Sequence, residues 1–165
     1  MGHSNRDYTP TEMGKEAVKL FIDGFHCSQA LFFVGARFQG VSAPDVIAAM
    51  APFGGGMGST GRVCGVLPGA LAAIGLTMGK RDPADRDNKN LWRLSYKMVK
   101  KFEEITEQYG GVDCRDIARV DWRDRQQVKA FRQDPDSRRR ECCRVIAAAA
   151  QALGELLETT KNDKR

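Results

Sequence analysis

Five cysteines, Cys27, Cys64, Cys114, Cys142 and Cys143, carry the richest chemistry in this chain. A thiolate can attack a disulfide, cycle between dithiol and disulfide, or ligate a soft metal. No two of the five stand in a C-x-x-C pair. That spacing rules out a zinc ribbon, a thioredoxin-type dithiol and a c-type haem attachment site. Any shared site must therefore be gathered by the fold from distant segments. Small buried thiols without chemistry are the bland alternative.

The elements that would position these thiols are read from hydrophobic period and punctuation. Nearly every segment repeats at helical spacing, and none alternates like a strand. Thr9 or Thr11 caps a first helix, with Ala17, Val18, Leu20, Phe21 and Ile22 on its apolar side and Gly24 beyond its end. Cys27 opens a second helix that reaches Phe38. Ser42 caps the short run APDVIAAMA, with Pro44 in its first turn. An apolar helix spans Pro68 to Met78. Asp82-Pro83 opens what the sequence predicts as the longest helix, ending at Tyr109, with a core stripe of Leu91, Leu94, Met98, Phe102 and Ile105. A short turn of helix follows Asp113, and the polar stretch DWRDRQQVKAFRQDPDS has room for another. Ser137 caps the last helix, whose second turn holds Cys142 and whose core face carries Val145, Ile146, Ala149, Leu153, Leu156 and Leu157. The prediction is an all-α bundle of six to seven helices forming one domain, with its core over about residues 9–158 and flexible ends at 1–8 and 159–165.

On this reading, Cys27, Cys64 and Cys114 fall at helix starts, where unpaired N–H groups and the positive dipole end favour a thiolate. Cys142 and Cys143 are neighbours on one helix and diverge by about 100°, so only one of them can face a common site. Between Phe53 and Gly65 lies a glycine-dense loop, FGGGMGSTGRVCG. It nearly matches a phosphate-binding loop but has Arg62 where lysine is needed and Val63 where a magnesium-ligating hydroxyl is needed. The loop is better read as a support for Cys64. Gly54, Gly55, Gly56, Gly58 and Gly65 let backbone come close and aim N–H groups at a sulfur anion. His26 is read as a cap or surface residue, the run Arg138–Arg139–Arg140 as a solvated face, and Trp92 and Trp122 as packing residues.

Composition narrows the class. The chain has 165 residues, 42% hydrophobic content and a formal net charge of +5, with acidic residues interspersed among the basic ones. That is enough chain for a substantial core and too balanced a charge for a nucleic-acid tail. No apolar run is long enough for a membrane span, and the first residues lack the apolar stretch of a secretory signal. The expected location is the cytoplasm, where structural disulfides are disfavoured.

In order along the chain, CSQAL (27–31), FGGGMG (53–58), CGVLPG (64–69), GGVDCRDI (110–117) and a cysteine opening the last helix resemble the C_GCAxxG_C_C family of redox-active proteins. The resemblance covers roughly residues 12–158. It departs at Val66, where alanine is usual, at Pro68, and at His26, where asparagine is common. The resemblance implies a small prokaryotic helical protein with four characteristic cysteines, here Cys27, Cys64, Cys114 and Cys142. Cys142 is favoured over Cys143 because Val145, Ile146, Ala149 and Leu153 then fall at the family's apolar offsets. The leading expectation is electron transfer by an iron–sulfur cluster held by those four thiolates, most simply a [2Fe–2S] centre. A thiol–disulfide protein using two of the four, and a non-catalytic helical module locked by a four-thiolate zinc site, are the alternatives. A redox partner protein is expected and a homodimer is left open; neither nucleic acid nor membrane is expected as a partner.

Overall fold

Helix α1 (Pro10–Ile22) starts at its expected cap: Thr9 Oγ1 accepts from the Glu12 N–H at 3.2 Å, and Pro10 occupies the first turn. In the computed structural model, which describes residues 8–162, α2 (Cys27–Phe38) and α3 (Pro44–Ala49) follow, then α4 (Val66–Met78) and α5 (Leu91–Thr106). The chain continues through α6 (Cys114–Ile117), α7 (Arg125–Gln133) and α8 (Arg139–Asn162). Single 3₁₀ turns stand at Ala51–Phe53 and Glu107–Tyr109. The protein is all-α, as its hydrophobic period predicts; among the described residues the only β-type pairing is an isolated bridge between Val63 and Asp113. Of the two ends set apart in the sequence, residues 1–7 and 163–165 lie outside the described residues. Tyr8 sits beneath the Arg37 guanidinium, 4.6 Å from its ring centre, and α8 runs to Asn162.

Several boundaries differ from the sequence reading. Residues 82–90 are turns rather than helix. Asp85 Oδ2 accepts from the N–H groups of Arg81 and Asp82, each at 3.0 Å, and Asp82 Oδ1 accepts from Ala84 N–H at 2.8 Å. Short acidic side chains thus satisfy the backbone locally and outcompete the helix. The longest helix is α8, with 24 residues, not α5 with 16. Ser42 makes no cap; α3 starts after Ala43 without a side-chain hydrogen bond at its start. Ser137 does cap α8, its hydroxyl accepting from Arg139 N–H at 3.4 Å. Helix α4 starts two residues earlier than expected, which leaves Pro68 inside the first turn, where a missing N–H is harmless. Ile22, expected on the apolar side of α1, is 55% exposed. Trp92, expected to pack, is 74% exposed on α5.

Helices α2, α4 and α8 form the centre, α1 pairs with α8 and α2, and α5 closes against α4 and α8. Phe32, Leu31, Met98, Phe102, Ile146 and Leu153 are fully buried between them. The central crossings are close because small residues meet there. A Cβ at Gly69 would fall 2.4 Å from the Ser28 carbonyl oxygen, and one at Gly35 would fall 2.5 Å from Ala73 Cβ. On the other side of the bundle, a Cβ at Gly154 would meet Met13 Sδ at 2.7 Å. The α2–α4 crossing also sets where Cys27, at the start of α2, stands relative to Cys64, just ahead of α4.

This packing separates two glycines of the same helix. Gly69→Ala must push α2 away from α4 and is expected to cost about 1–3 kcal/mol. Gly75 has open space at its Cβ position, so Gly75→Ala is expected to gain about 0.5–1 kcal/mol from helix propensity. Thermal unfolding followed by circular dichroism should therefore move in opposite directions for the two variants.

Candidate functional site

The site begins with how α2 starts. Gln29 Oε1 accepts from the His26 N–H at 3.1 Å, while Gln29 Nε2 donates to the Ile47 carbonyl at 3.2 Å. Ser28, fully buried, donates its hydroxyl to the Met50 carbonyl at 2.7 Å. These bonds tie the first turn of α2 to α3 and hold Cys27, its first residue, in a half-buried position.

Cys64 and Cys114 are brought together by the isolated Val63–Asp113 bridge. Cys64 N–H donates to the Val112 carbonyl at 3.0 Å, and Cys114 N–H donates to the Arg62 carbonyl at 2.7 Å. Both cysteines are buried, at 6% and 5% exposure. Cys142 is the fourth residue of α8, one position nearer the helix start than a Ser137 cap predicts, because the helix starts at Arg139. Its side chain packs against Cys114 and Phe131, and those residues, with Trp122, make a small apolar cluster beside the main core.

The thiols differ in electrostatics. Cys27 is held below the usual thiol range. The main cause is a hydrogen bond from the Cys64 thiol; burial opposes it, and N–H groups of Ser28, Cys27 and Gly65 add to it. Cys64 is pushed well up by the same bond, then by burial and by the charge on Cys27. Burial pushes Cys114 up to about 11, offset in part by Trp122, whose indole N–H donates to Cys114 Sγ at 3.3 Å. Burial also raises Cys142 well above its ordinary value, and raises Cys143. Of the cysteines expected to be favoured as thiolates by helix starts, Cys27 alone is shifted that way, and Cys64 contributes more to the shift than the helix N–H groups do. At Cys114 and Cys142 desolvation outweighs the partial charges of a helix end, and at Cys64 the pairing with Cys27 comes first, with desolvation adding to it.

The glycine loop supports the site differently from the expected N–H cradle for Cys64. Gly55, Gly56, Met57, Gly58 and Ser59 all have φ between +57° and +75°, a left-handed turn of five residues. Such a turn is costly for residues with a Cβ, and glycine at three of the five positions makes it accessible. The N–H groups of Met57, Gly58, Ser59, Gly61 and Arg62 are spent on carbonyls of residues 52–56, not on a sulfur. What the glycines provide is close approach. A Cβ at Gly54 would sit 3.0 Å from the His26 ring, and one at Gly56 would sit 2.7 Å from Cys114 Cβ. A Cβ at Gly65 would lie 2.9 Å from Cys27 Sγ and 2.6 Å from the Phe53 carbonyl oxygen. Gly65 is the loop residue whose N–H reaches a thiol, and that thiol is Cys27.

Cys27, Cys64, Cys114 and Cys142 line one cavity of about 670 Å³; Cys143 does not line it. Gly54, Gly55 and Gly58 line it as well, with Phe21, Phe25, Trp122 and Phe131 as its aromatic wall. Among the described residues, however, no three histidine, cysteine, aspartate or glutamate side chains are gathered so that they could hold a metal ion. The four sulfurs share a cavity without forming a coordination sphere.

Two contributors escaped the sequence reading. Trp122 packs edge-on against Phe131, with ring centres 5.1 Å apart, and also donates to Cys114. The arginine run is not a solvated face throughout. Arg138 donates through Nε to the Ile117 carbonyl at 3.2 Å and favours the thiolate form of Cys142, while its buried Nη2 has no hydrogen-bond partner. Arg139 lies over the Phe21 ring, 5.4 Å from its centre, and lines the cavity. Only Arg140 of the three points outward, to Asp136 at 2.9 Å. Neither contact has a local sequence signature: the tryptophan is eight residues from its cysteine, and the arginine is more than a hundred from its ring.

No curated protein and no solved structure matches the chain. Residues 25–156, which include all five cysteines and the glycine loop, match the family model described as "Putative redox-active protein (C_GCAxxG_C_C)", and the chain belongs to that family.

Proposed function

We propose that this redox-active protein is a thiol–disulfide oxidoreductase whose working pair is Cys27 and Cys64. The observation that carries the reading is the meeting of Cys27, at the head of α2, with the Cys64–Gly65 step ahead of α4, so close that a Cβ at Gly65 would lie 2.9 Å from Cys27 Sγ; there the Cys27 thiol is shifted below its ordinary value and the Cys64 thiol above it. That is the arrangement a dithiol exchange needs. The Cys27 thiolate attacks one sulfur of a substrate disulfide, the S–S bond breaks, and one substrate thiolate leaves. Cys64 then gives its proton to solvent and attacks Cys27 Sγ. The second substrate thiolate leaves and a Cys27–Cys64 disulfide forms. Two electrons have passed from the protein dithiol to the substrate; a redox partner protein would return the pair to its reduced form.

A second reading is supported by a different observation, the four cysteines facing one cavity. Cys27, Cys64, Cys114 and Cys142 would hold a cluster or a zinc ion if their sulfurs drew together, and a cluster would supply one-electron transfer. Iron, acid-labile sulfide and zinc analysis with a visible spectrum, on protein prepared without oxygen, separates the readings. Metal-free protein with full thiol–disulfide exchange supports the dithiol. Stoichiometric iron and sulfide support the cluster.

The cysteine series tests the pair. On addition of an equimolar small disulfide, the wild type is expected to lose two hydrogens in its intact mass and to yield a Cys27–Cys64 linked peptide. Cys27→Ser should lower the rate at least about a hundredfold, since an unactivated thiol must then attack. Cys64→Ser should stop at a mixed disulfide on Cys27. Cys143→Ser should behave as wild type. A linked peptide joining Cys114 and Cys142 instead would move the working pair there.

The electrostatics give a pH test. Because the Cys27 thiol is held below its ordinary value, its alkylation by iodoacetamide should stay fast at pH values where a free cysteine has slowed. Cys64→Ala removes the main cause of that shift and should move the profile to higher pH. An unmoved profile would mean that the N–H groups of α2 and Gly65, not Cys64, set the charge.

A further inference from the structure

The cavity over Cys27 has a composition that its thiols do not explain. Its wall is aromatic and aliphatic, its volume is about 670 Å³, and two arginines, Arg132 and Arg139, line it without any aspartate or glutamate. A volume of roughly 300–1,000 Å³ is that of a small-molecule site. Arg139 has only backbone carbonyls as hydrogen-bond partners, those of Phe21, Ile22 and Arg132 at 3.4–3.5 Å. Neither arginine is in an ion pair among the described residues. A cation at an apolar wall, with no carboxylate to neutralise it, is a recognition group for an anion that arrives attached to an apolar body. Access points the same way. Cys64 and Cys114 are almost fully buried, so a slim molecule reaches the pair more readily than the two chain segments of a protein disulfide.

We infer that the cavity takes a low-molecular-weight disulfide with an apolar body and a carboxylate, the body lying against Phe21, Trp122 and Phe131 and the carboxylate on Arg139 and Arg132. The inference rests on the dithiol reading of Cys27 and Cys64 and names the substrate class for it. With an aryl disulfide the step balances as follows. The Cys27 thiolate displaces one arenethiolate and forms a mixed disulfide. The sulfur of Cys64, its proton lost to water, displaces the second arenethiolate and closes the Cys27–Cys64 disulfide. One S–S bond is broken and one formed, and the reagent gains the two electrons that the protein dithiol loses.

The test compares 4,4′-dithiodibenzoate with its neutral diamide on the reduced full-length chain. Each rate is divided by the rate of the same reagent with N-acetylcysteine amide, a thiol without a carboxylate, which removes intrinsic reactivity. The dibenzoate is expected to be favoured about tenfold, the effect of a charge-assisted hydrogen bond in a partly buried site. Arg139→Gln should bring the ratio close to one. Arg139 also touches the end of α1, so Arg132→Gln, at an exposed position on α7, is the second variant and should lower the ratio about threefold. A wild-type ratio near one, with the Cys27–Cys64 disulfide still forming, would overturn the carboxylate-selective substrate and leave the dithiol standing. A ratio unchanged in both folded arginine variants would overturn it likewise. Failure of both reagents to produce the Cys27–Cys64 disulfide would overturn the dithiol reading itself.

Discussion

The arrangement around Cys27 turns on one constraint: a sulfur that is to ionise inside a largely apolar wall must be given hydrogen-bond donors. Burial alone drives a thiol toward its neutral form, as it does at Cys114, Cys142 and Cys143. Cys27 escapes because donors converge on it from two places: the first turn of α2, and the Cys64–Gly65 step ahead of α4. The second set can approach only because residue 65 has no side chain, since a Cβ there would already crowd the sulfur and the Phe53 carbonyl. A glycine loop that looked like a cradle for Cys64 is thus a spacer that admits Cys64 and Gly65 to Cys27.

That convergence depends in turn on helix packing far from any sulfur. Helices α2 and α4 cross at Ser28, Leu31, Gly35, Gly69 and Ala73. With small residues at the crossing, backbone rather than side-chain length sets the separation. Cys27, at the start of α2, and Cys64, just ahead of α4, inherit that separation. The buried Ser28 hydroxyl and the two-ended Gln29 amide then stop the first turn of α2 from fraying. Without them, Cys27 would gain solvent and lose its donors together.

The sequence made part of this legible. Cys27 and Cys114 were placed as first residues of helices, and they are. Of the core stripe Leu91, Leu94, Met98, Phe102 and Ile105 that the spacing marks, Leu94, Met98 and Phe102 are fully buried and Leu91 and Ile105, at its ends, half-buried. Hydrophobic period is a property of one element, so it can be read from one element. The start of α5 was misread because Asp82 and Asp85 bond their own backbone, a local competition that period ignores. The roles of Trp122 and Arg139 were not legible at all. Each depends on an approach between separate segments, and nothing in their neighbours along the chain announces it.

The four cysteines facing one cavity are best understood by how differently they are held. These sulfurs are graded: Cys27 is shifted toward the thiolate by converging donors, Cys64 toward the neutral thiol first by its pairing with Cys27, and Cys114 and Cys142 toward the neutral thiol by burial. The gradation has a direction. Charge on Cys27 raises Cys64, Cys114 and Cys142, so ionisation of the first sulfur disfavours ionisation of its neighbours. On the dithiol reading proposed above, a mixed disulfide on Cys27 removes that charge and lifts the suppression from Cys64 when a second nucleophile is required. The coupling that disfavours a Cys64 thiolate while Cys27 is charged would, on that reading, also set the order of the two displacements.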